Sequence, residues 1–351
     1  MSRTPTSTVP RWEFDEQAFL QKIPYPVTPT NLKGAYAGVA PPDDFDPNTA
    51  SPSELIKNGI LWRRPTATDP PALRAAWDKA FSRKWLAKDR VVPVLEPQVG
   101  RKRILKQRPL KKAIDGSYLG GAWSGAFADS GGPYSGCIGY WVVPTVSKAA
   151  EPKSGPLSYD ATLGIAYDSS SWVGIDGANF TITSNDVLQA GVEQYVDTKG
   201  KAHYVAWYEW FGPVGPPPAY VDQVNITSVS VSPGDEVVVY VNYVSKTAGQ
   251  FYFGNLTTGL HFSLTLAPPK GATFAGNTVE WIMEDPDGGE ASETALVKFT
   301  PVVFTNAIAC TAAGGTNNPA SDNTCNIQTT GGKVLTKVTT GTDKLTIDFI
   351  G

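Results

Sequence analysis

Histidine is scarce in this sequence, with two in 351 residues, and methionine is equally scarce. Cysteine occurs three times, and no arginine follows Arg108. Each shortage closes a class of chemistry. A Ser/His/Asp triad needs a positioned imidazole, and neither His203 nor His261 sits in a recognisable motif. Cys137 lies in the apolar run CIGYWVV with no electropositive neighbour to make it a thiolate nucleophile. No Cys/His spacing suits a structural zinc site, so neither a metal nor another cofactor is expected. No P-loop or GxGxxG turn is present. No apolar run approaches the roughly 20 residues of a membrane span, and no membrane partner is expected. Carboxylates and carboxamides are left as the reactive groups.

Aromatic and turn-forming residues are plentiful: 10 Trp, 14 Tyr, 14 Phe, 34 Gly and 29 Pro. This composition favours strands over helices. Charge divides the chain in two. Residues 1–113 hold 20 Lys plus Arg against 11 Asp plus Glu, a net +9. Residues 114–351 hold 10 Lys against 22 Asp plus Glu, a net −12. The basic run RKRILKQRPLKK (101–112) marks the change. A basic segment can neutralise an acidic domain to which it is tethered. It has few features of a nucleic-acid arm, so no nucleic-acid partner is expected.

Within the basic segment, residues 1–50 are rich in Pro, Asp and Thr and read as mostly coil. A short helix is expected near 51–59, with Ser51 or Ser53 as its N-cap. A longer one is expected over 70–88, where Leu73, Trp77, Phe81 and Trp85 form a one-sided apolar stripe. That stripe must pack on something, and the acidic domain is the available surface. From about residue 119 the pattern changes to some dozen strand-like runs separated by Gly, Pro, Asn, Asp and Ser. Without interleaved helices, this predicts an all-β antiparallel sandwich over 114–351.

Cys310 and Cys325 bracket a Gly/Asn/Thr-rich stretch, and a loop disulfide between them is expected. Such a bond implies an oxidising compartment, and an extracellular place of action is expected. The N-terminus MSRTPTSTVPRWEF lacks the hydrophobic core of a signal peptide. Asn179, Asn225 and Asn255 begin glycosylation sequons. A monomer is expected.

Alternation along the strands isolates unusual faces. In VEWIME, Val279, Trp281 and Met283 share a core-like face, while Glu280, Ile282 and Glu284 share the other. Trp172, Gly174 and Asp176 share a face, as do Trp207, Glu209 and Phe211. Gln189 and Glu193 share one with Val187 and Gly191. Taken singly, each is an ordinary solvated strand face. Together they mix Trp walls, Gly gaps and acids or amides, as a ligand-shaped concave sheet would.

Six stretches, AWSGAFADSGGPYSGCIGYWVVPTV (122–146), WVGIDG (172–177), VLQAGVE (187–193), WYEWF (207–211), NLTTG (255–259) and VEWIMED (279–285), resemble in this order the glutamic peptidases, or eqolisins. The resemblance covers roughly residues 116–307. It implies a concanavalin-like sandwich of two bent antiparallel sheets with the active site on a concave face. It also implies a Gln/Glu catalytic dyad, which falls on Gln189 and Glu280. Trp123, Trp172, Asp176, Glu193, Trp207, Glu209, Phe211 and Glu284 fall on positions that line or support the cleft. Two departures are visible: Phe211 stands where the family usually has tyrosine, and Glu193 where it often has aspartate.

The implied chemistry is acid-acting cleavage of polypeptide substrates. A carboxylate with a pKa of about 4.3 is a useful base in mild acid, and an amide donor keeps its charge state at every pH. The basic segment resembles a prosegment in placement and charge, released and self-cleaved near 101–120 when acid discharges the domain, and so would be the chain's own partner. Two rival readings share the fold: a Trp-lined carbohydrate-binding module, and a glycoside hydrolase using Glu209 and Glu280. Whichever side chain stands across from Glu280 separates them.

Overall fold

The computed structural model describes residues 15–82, 87–98, 111–149, 164–178, 186–212, 223–269, 272, 274–286, 295–329 and 331–351. The main elements are α1 (Glu16–Leu20), β1 (Val27–Pro29), β2 (Ala35–Gly38), α2 (Pro52–Lys57), α3 (Pro71–Ala80) and β3 (Leu95–Pro97). They are followed by β4 (Trp123–Ala128), β5 (Tyr134–Val142), β6 (Ile165–Ile175), β7 (Val187–Asp197), β8 (Ala202–Phe211) and β9 (Val224–Ile226). The chain ends with β10 (Glu236–Ser245), β11 (Ala248–Asn255), β12 (His261–Leu266), β13 (Val279–Glu284), β14 (Val302–Thr311), β15 (Asn323–Asn326), β16 (Thr336–Thr340) and β17 (Lys344–Phe349).

These strands form an all-β sandwich of two large, mainly antiparallel sheets. One runs β1-β2-β12-β11-β10-β5-β14-β17-β16. The other runs β3-β9-β8-β7-β6-β13-β4-β15 and continues into the short strands Tyr118–Leu119 and Lys111–Lys112. Strand alternation sets the core between them. Cys137, Trp141, Val173, Trp281 and Met283 belong to that inner layer. A Cβ on Gly139 would sit 2.8 Å from Val173 and 3.3 Å from Trp281, so the sheets approach closely there. Trp281 Nε1 donates to the Ile138 carbonyl across the layers at 2.7 Å. Val279, Trp281 and Met283 point inward as their period predicts, leaving Glu280, Ile282 and Glu284 on the outer face of the second sheet.

The N-terminal segment lies over the first sheet. Ser51 caps α2 in a capping box with Glu54. Leu73, Trp77 and Phe81 pack with Trp62, Leu55 and Ile60 onto the outward-facing Ile138, Tyr140, Val238, Tyr240, Tyr252 and Ile308. Trp62 is central, with its ring 4.9 Å from Tyr240 and 5.6 Å from Phe81. The stripe therefore docks on the sandwich, on the layer that does not carry Glu280. Its fourth member, Trp85, lies outside the described residues, as does Asn179. The expected coil of residues 1–50 also contributes strands, β1 pairing with β2 and β2 with β12, and farther along the segment β3 pairs with β9. Runs of three or four residues carry no usable alternation, so only the waiting sheet edges reveal them.

The cysteine pairing expected from the sequence is not formed, and all three cysteines are free. Cys310 lies on β14 and faces the N-terminal cluster, whereas Cys325 lies on β15 and joins the cluster on the opposite outer face. Stacked sheets are about 10 Å apart, beyond the Cα separation of at most roughly 7 Å that a disulfide spans. Burial holds the thiols up, at about 11 for Cys310 and about 12 for Cys325. The intervening loop is closed instead by Thr316–Asn317 pairing with β14. Cys137 is fully buried, and burial likewise raises its thiol. The Asn255 side chain is buried and donates to Asp235 at 2.8 Å, which denies that sequon a modifying enzyme in the folded chain.

His261 sits under the N-terminal segment, where Arg90 bridges to it and the Val91 N–H donates to its carbonyl at 2.9 Å. Burial lowers its imidazole from 6.5 to about 4, helped by Arg90 and opposed by the Gly259 carbonyl and Asp89. The packed state thus prefers neutral imidazole. Its stability is full above pH 6.5 and declines as pH falls toward about 4, by roughly 3 kcal/mol for that shift. Denaturant unfolding of the full chain should show this step between those values, and His261→Gln should flatten it. An equal step in the variant would assign the effect to other groups.

Candidate active site

The positions expected for the dyad are set by register. Gln189 on β7 pairs with Glu209 on β8 and with Gly174 on β6. Gly174 also pairs with Glu280 on β13, which pairs with Phe127 on β4. Residues paired in register point to the same face, so Glu209, Gln189, Gly174, Glu280 and Phe127 form one row across five strands. At about 4.8 Å per strand, the Gln189 and Glu280 backbones stand roughly 10 Å apart. Gly174 lies between them and offers no side chain. The next row is Trp207, Gly191, Trp172, Ile282 and Gly125. The row beyond holds Glu193, Ser170, Glu284 and Trp123. Phe211 pairs with Val187, one row past Gln189 on the other side.

Every reactive side chain here is held by neutral donors. Gln189 Nε2 donates to Glu209 Oε2 at 2.7 Å, which orients the amide. Glu284 accepts from both indoles, Trp172 Nε1 at 2.9 Å and Trp123 Nε1 at 3.3 Å, and the two rings meet edge to face at 4.9 Å. One carboxylate therefore sets both aromatic walls. Glu193, two rows from the dyad, accepts from Gln223 Nε2 at 2.7 Å. Asp176 lies in the left-handed region at φ 68°. Its carboxylate accepts from the backbone N–H groups of Ala275, Gly276 and Asn277 at 2.8 to 3.1 Å, which anchors the entry to β13. Asp176 therefore supports Glu280 through its strand.

Glu280 is fully buried. Its Oε1 accepts from Thr278 Oγ1 at 2.5 Å and from the Ala178 N–H at 3.3 Å. Its Oε2 and the Oε1 of Gln189 have no hydrogen-bond partner among the described residues. Burial raises the Glu280 carboxyl well above the usual range; the Thr278 hydrogen bond opposes this, and the charges of Asp176 and Asp322 add to it. Thr278 and Gln223 join the site without being among the residues expected from the sequence. Thr278 was findable, since it stands two residues before Glu280 and so on the same strand face. Gln223 was not, because its partner Glu193 lies 30 residues away. The rest of the expected set converges on one sheet face.

The chain matches the Peptidase A4 family over residues 121–349. It belongs to that family. Aspergillopepsin-2 of Aspergillus niger is 32% identical over 236 residues, covering 65% of this chain and 77% of its own. Scytalidopepsin B of Scytalidium lignicola is 28% identical over 148 residues, 41% of this chain and 51% of its own, so the match spans about half of that relative. A scytalido-glutamic peptidase solved with a peptide-based transition-state analog superposes with TM-score 0.51 at 20% identity, covering 66% of this chain and 98% of that one. The sandwich is thus the glutamic-peptidase fold, and the chain is a peptide hydrolase.

Within a peptidase the Gly174 gap has a specific consequence. A Cβ there would lie 3.0 Å from the Trp172 ring and 3.3 Å from Val187, between the two dyad side chains. Gly174→Ala should lower kcat by about 100-fold, as small misplacements of reacting groups do, while shifting the melting temperature little. An unchanged kcat would show that nothing reacts above residue 174.

Proposed function

We propose that this peptidase is an acid-acting endopeptidase in which Glu280 is the base and then the acid, and Gln189 stabilises the oxyanion. The observation that carries this reading is the row in which the two residues flank Gly174, each with one buried acceptor unpartnered among the described residues. A water above Gly174 could donate to both acceptors. Glu280 Oε2 takes one proton from it, and the hydroxide oxygen bonds to the scissile carbonyl carbon. The carbonyl oxygen gains the negative charge and accepts from Gln189, whose Nε2 has a second N–H besides the one given to Glu209. Glu280 then returns the proton to the amide nitrogen as the C–N bond breaks. Phe211 brings an apolar ring where a tyrosine would bring a hydroxyl. Polypeptides are the substrates and an extracellular place of action completes the reading.

The glycoside-hydrolase alternative asks Glu209 and Glu280 to face one another. They lie three strands apart, a backbone separation of roughly 14 Å, against carboxyl separations of about 5 to 9.5 Å in that chemistry. The Glu209 carboxylate is also engaged by Gln189.

Self-processing belongs to this proposal. Tyr118–Leu119 pairs with β15, and the Tyr118 ring packs 5.7 Å from Phe127, next to Glu280 in the row. This supports a cut near 101–120 beside the cleft. In acid, the wild-type chain should shorten to a fragment beginning in that range, and mass spectrometry should find Glu280→Gln intact and at least about 1000-fold less active on a denatured protein. Gln189→Ala should lose about 100- to 1000-fold in kcat. Wild-type turnover by Glu280→Gln would sink the dyad; a full-length yet active wild type would sink the processing alone.

The pH profile offers an independent check. Thr278 hydrogen-bonds the ionised form of Glu280 and holds its pKa down against burial. Thr278→Val should therefore raise that pKa and move the acid limb of kcat/KM to higher pH. A limb that stays in place would mean Glu280 is not the titrating base.

A further inference from the structure

We propose that residues 15–97 are a lasting subunit of the peptidase, so that a cut in the following connection turns one chain into two that stay together. This takes from the proposed function only the position of the cut. The segment is built into both layers. β2 extends the first sheet at β12, and β3 extends the second at β9. Asn31 ties the two contributions together, donating to the Leu95 carbonyl at 2.8 Å and accepting from the Leu95 N–H at 2.9 Å.

Between these strands the segment covers an apolar floor with Leu73, Trp77, Phe81 and Trp62. Buried polar pins cross the same seam. Tyr140 Oη donates to the Ala76 carbonyl at 2.5 Å. Tyr25 Oη meets Thr265 Oγ1 at 2.8 Å, and Gln250 Nε2 reaches both Tyr25 Oη at 2.9 Å and the Gly59 carbonyl at 3.2 Å. Arg90 donates to Ser263 Oγ at 2.8 Å. Departure of the segment would strand these buried groups and uncover an aromatic sheet face.

Charge has a minor part in the seam between described residues. Among the described residues one ion pair crosses it, Lys79 to Glu236, with side chains 32% and 37% exposed. A pair so exposed adds little. Among the described residues, packing and buried hydrogen bonds rather than ion pairs seat the segment. Acid acts on the seam chiefly through His261, which faces Arg90, Asp89 and the Tyr252 ring. One titrating group opposes two sheet extensions and a continuous apolar floor that does not respond to pH. The helices of the segment stay off the face that carries Glu280 and Gln189, because they pack on the outer face of the other sheet.

The test separates retention from self-processing. In the full-length Glu280→Gln chain, residues 101–106 are replaced by the recognition site of a sequence-specific endoprotease and the folded protein is cut with that enzyme. Size exclusion then follows the two fragments at neutral pH and at about pH 4.5, in low and high salt. Co-elution in all four conditions is expected. Separation in any of them overturns the proposal, whether or not the wild type cuts itself. In the same cut protein, Trp62→Ala with Trp77→Ala should speed dissociation by at least about 100-fold. An unchanged rate would overturn the role given to the apolar floor.

Discussion

The backbone of one glycine strand separates Gln189 from Glu280, the two groups that the proposed mechanism pairs. Gly174 is paired in register with Gln189 on one side and Glu280 on the other. Sheet pairing thereby fixes the spacing of the amide and the carboxylate without any contact between their side chains. The Trp172 ring and Val187 close over that glycine, 3.0 and 3.3 Å from where a Cβ would stand. The same device recurs one row away, where a Cβ on Gly191 would stand 2.6 Å from Trp172 Cβ. Small residues on the sheet face decide where the large ones can lie.

Burying several carboxylates on one sheet face is costly unless each is solvated by the protein. This chain supplies that solvation with neutral donors. Indole N–H groups hold Glu284, carboxamides hold Glu209 and Glu193, and backbone N–H groups hold Asp176. An arginine would supply stronger bonds but would also drag neighbouring carboxyls to low pKa. The lack of arginine after residue 108 has its structural counterpart here. Burial keeps the Glu280 pKa raised, the negative charges of Asp176 and Asp322 add to it, and the hydrogen bonds from Thr278 and Ala178 oppose it only in part.

The N-terminal segment shows two roles that composition confounds. Its excess positive charge suggests a partner held by electrostatics. Its packing is that of a domain interior, with a tryptophan cluster, buried hydrogen bonds and strands donated to both sheets. Long-range charge and short-range packing act over different distances. The first can guide the segment to the acidic domain, and the second holds it there.

The sequence by itself determined much of this protein. Period-two alternation placed Val279, Trp281 and Met283 inside and Glu280 and Glu284 outside, because a strand leaves its side chains no other choice. The order of six motifs carried the family. The stripe from Leu73 to Phe81 and the Ser51 cap were legible because both depend on neighbours within a few residues. Tertiary structure alone decided the rest. Pairing register brought Gln189, Gly174 and Glu280 into one row from positions up to 106 apart in the chain, and local pattern holds no such information. It sent Cys310 and Cys325 to opposite faces although a short loop joins them. It also placed the helical stripe on the sheet away from the cleft. Apolar burial is indifferent to which surface supplies the partner, and only the assembled fold shows which one was open.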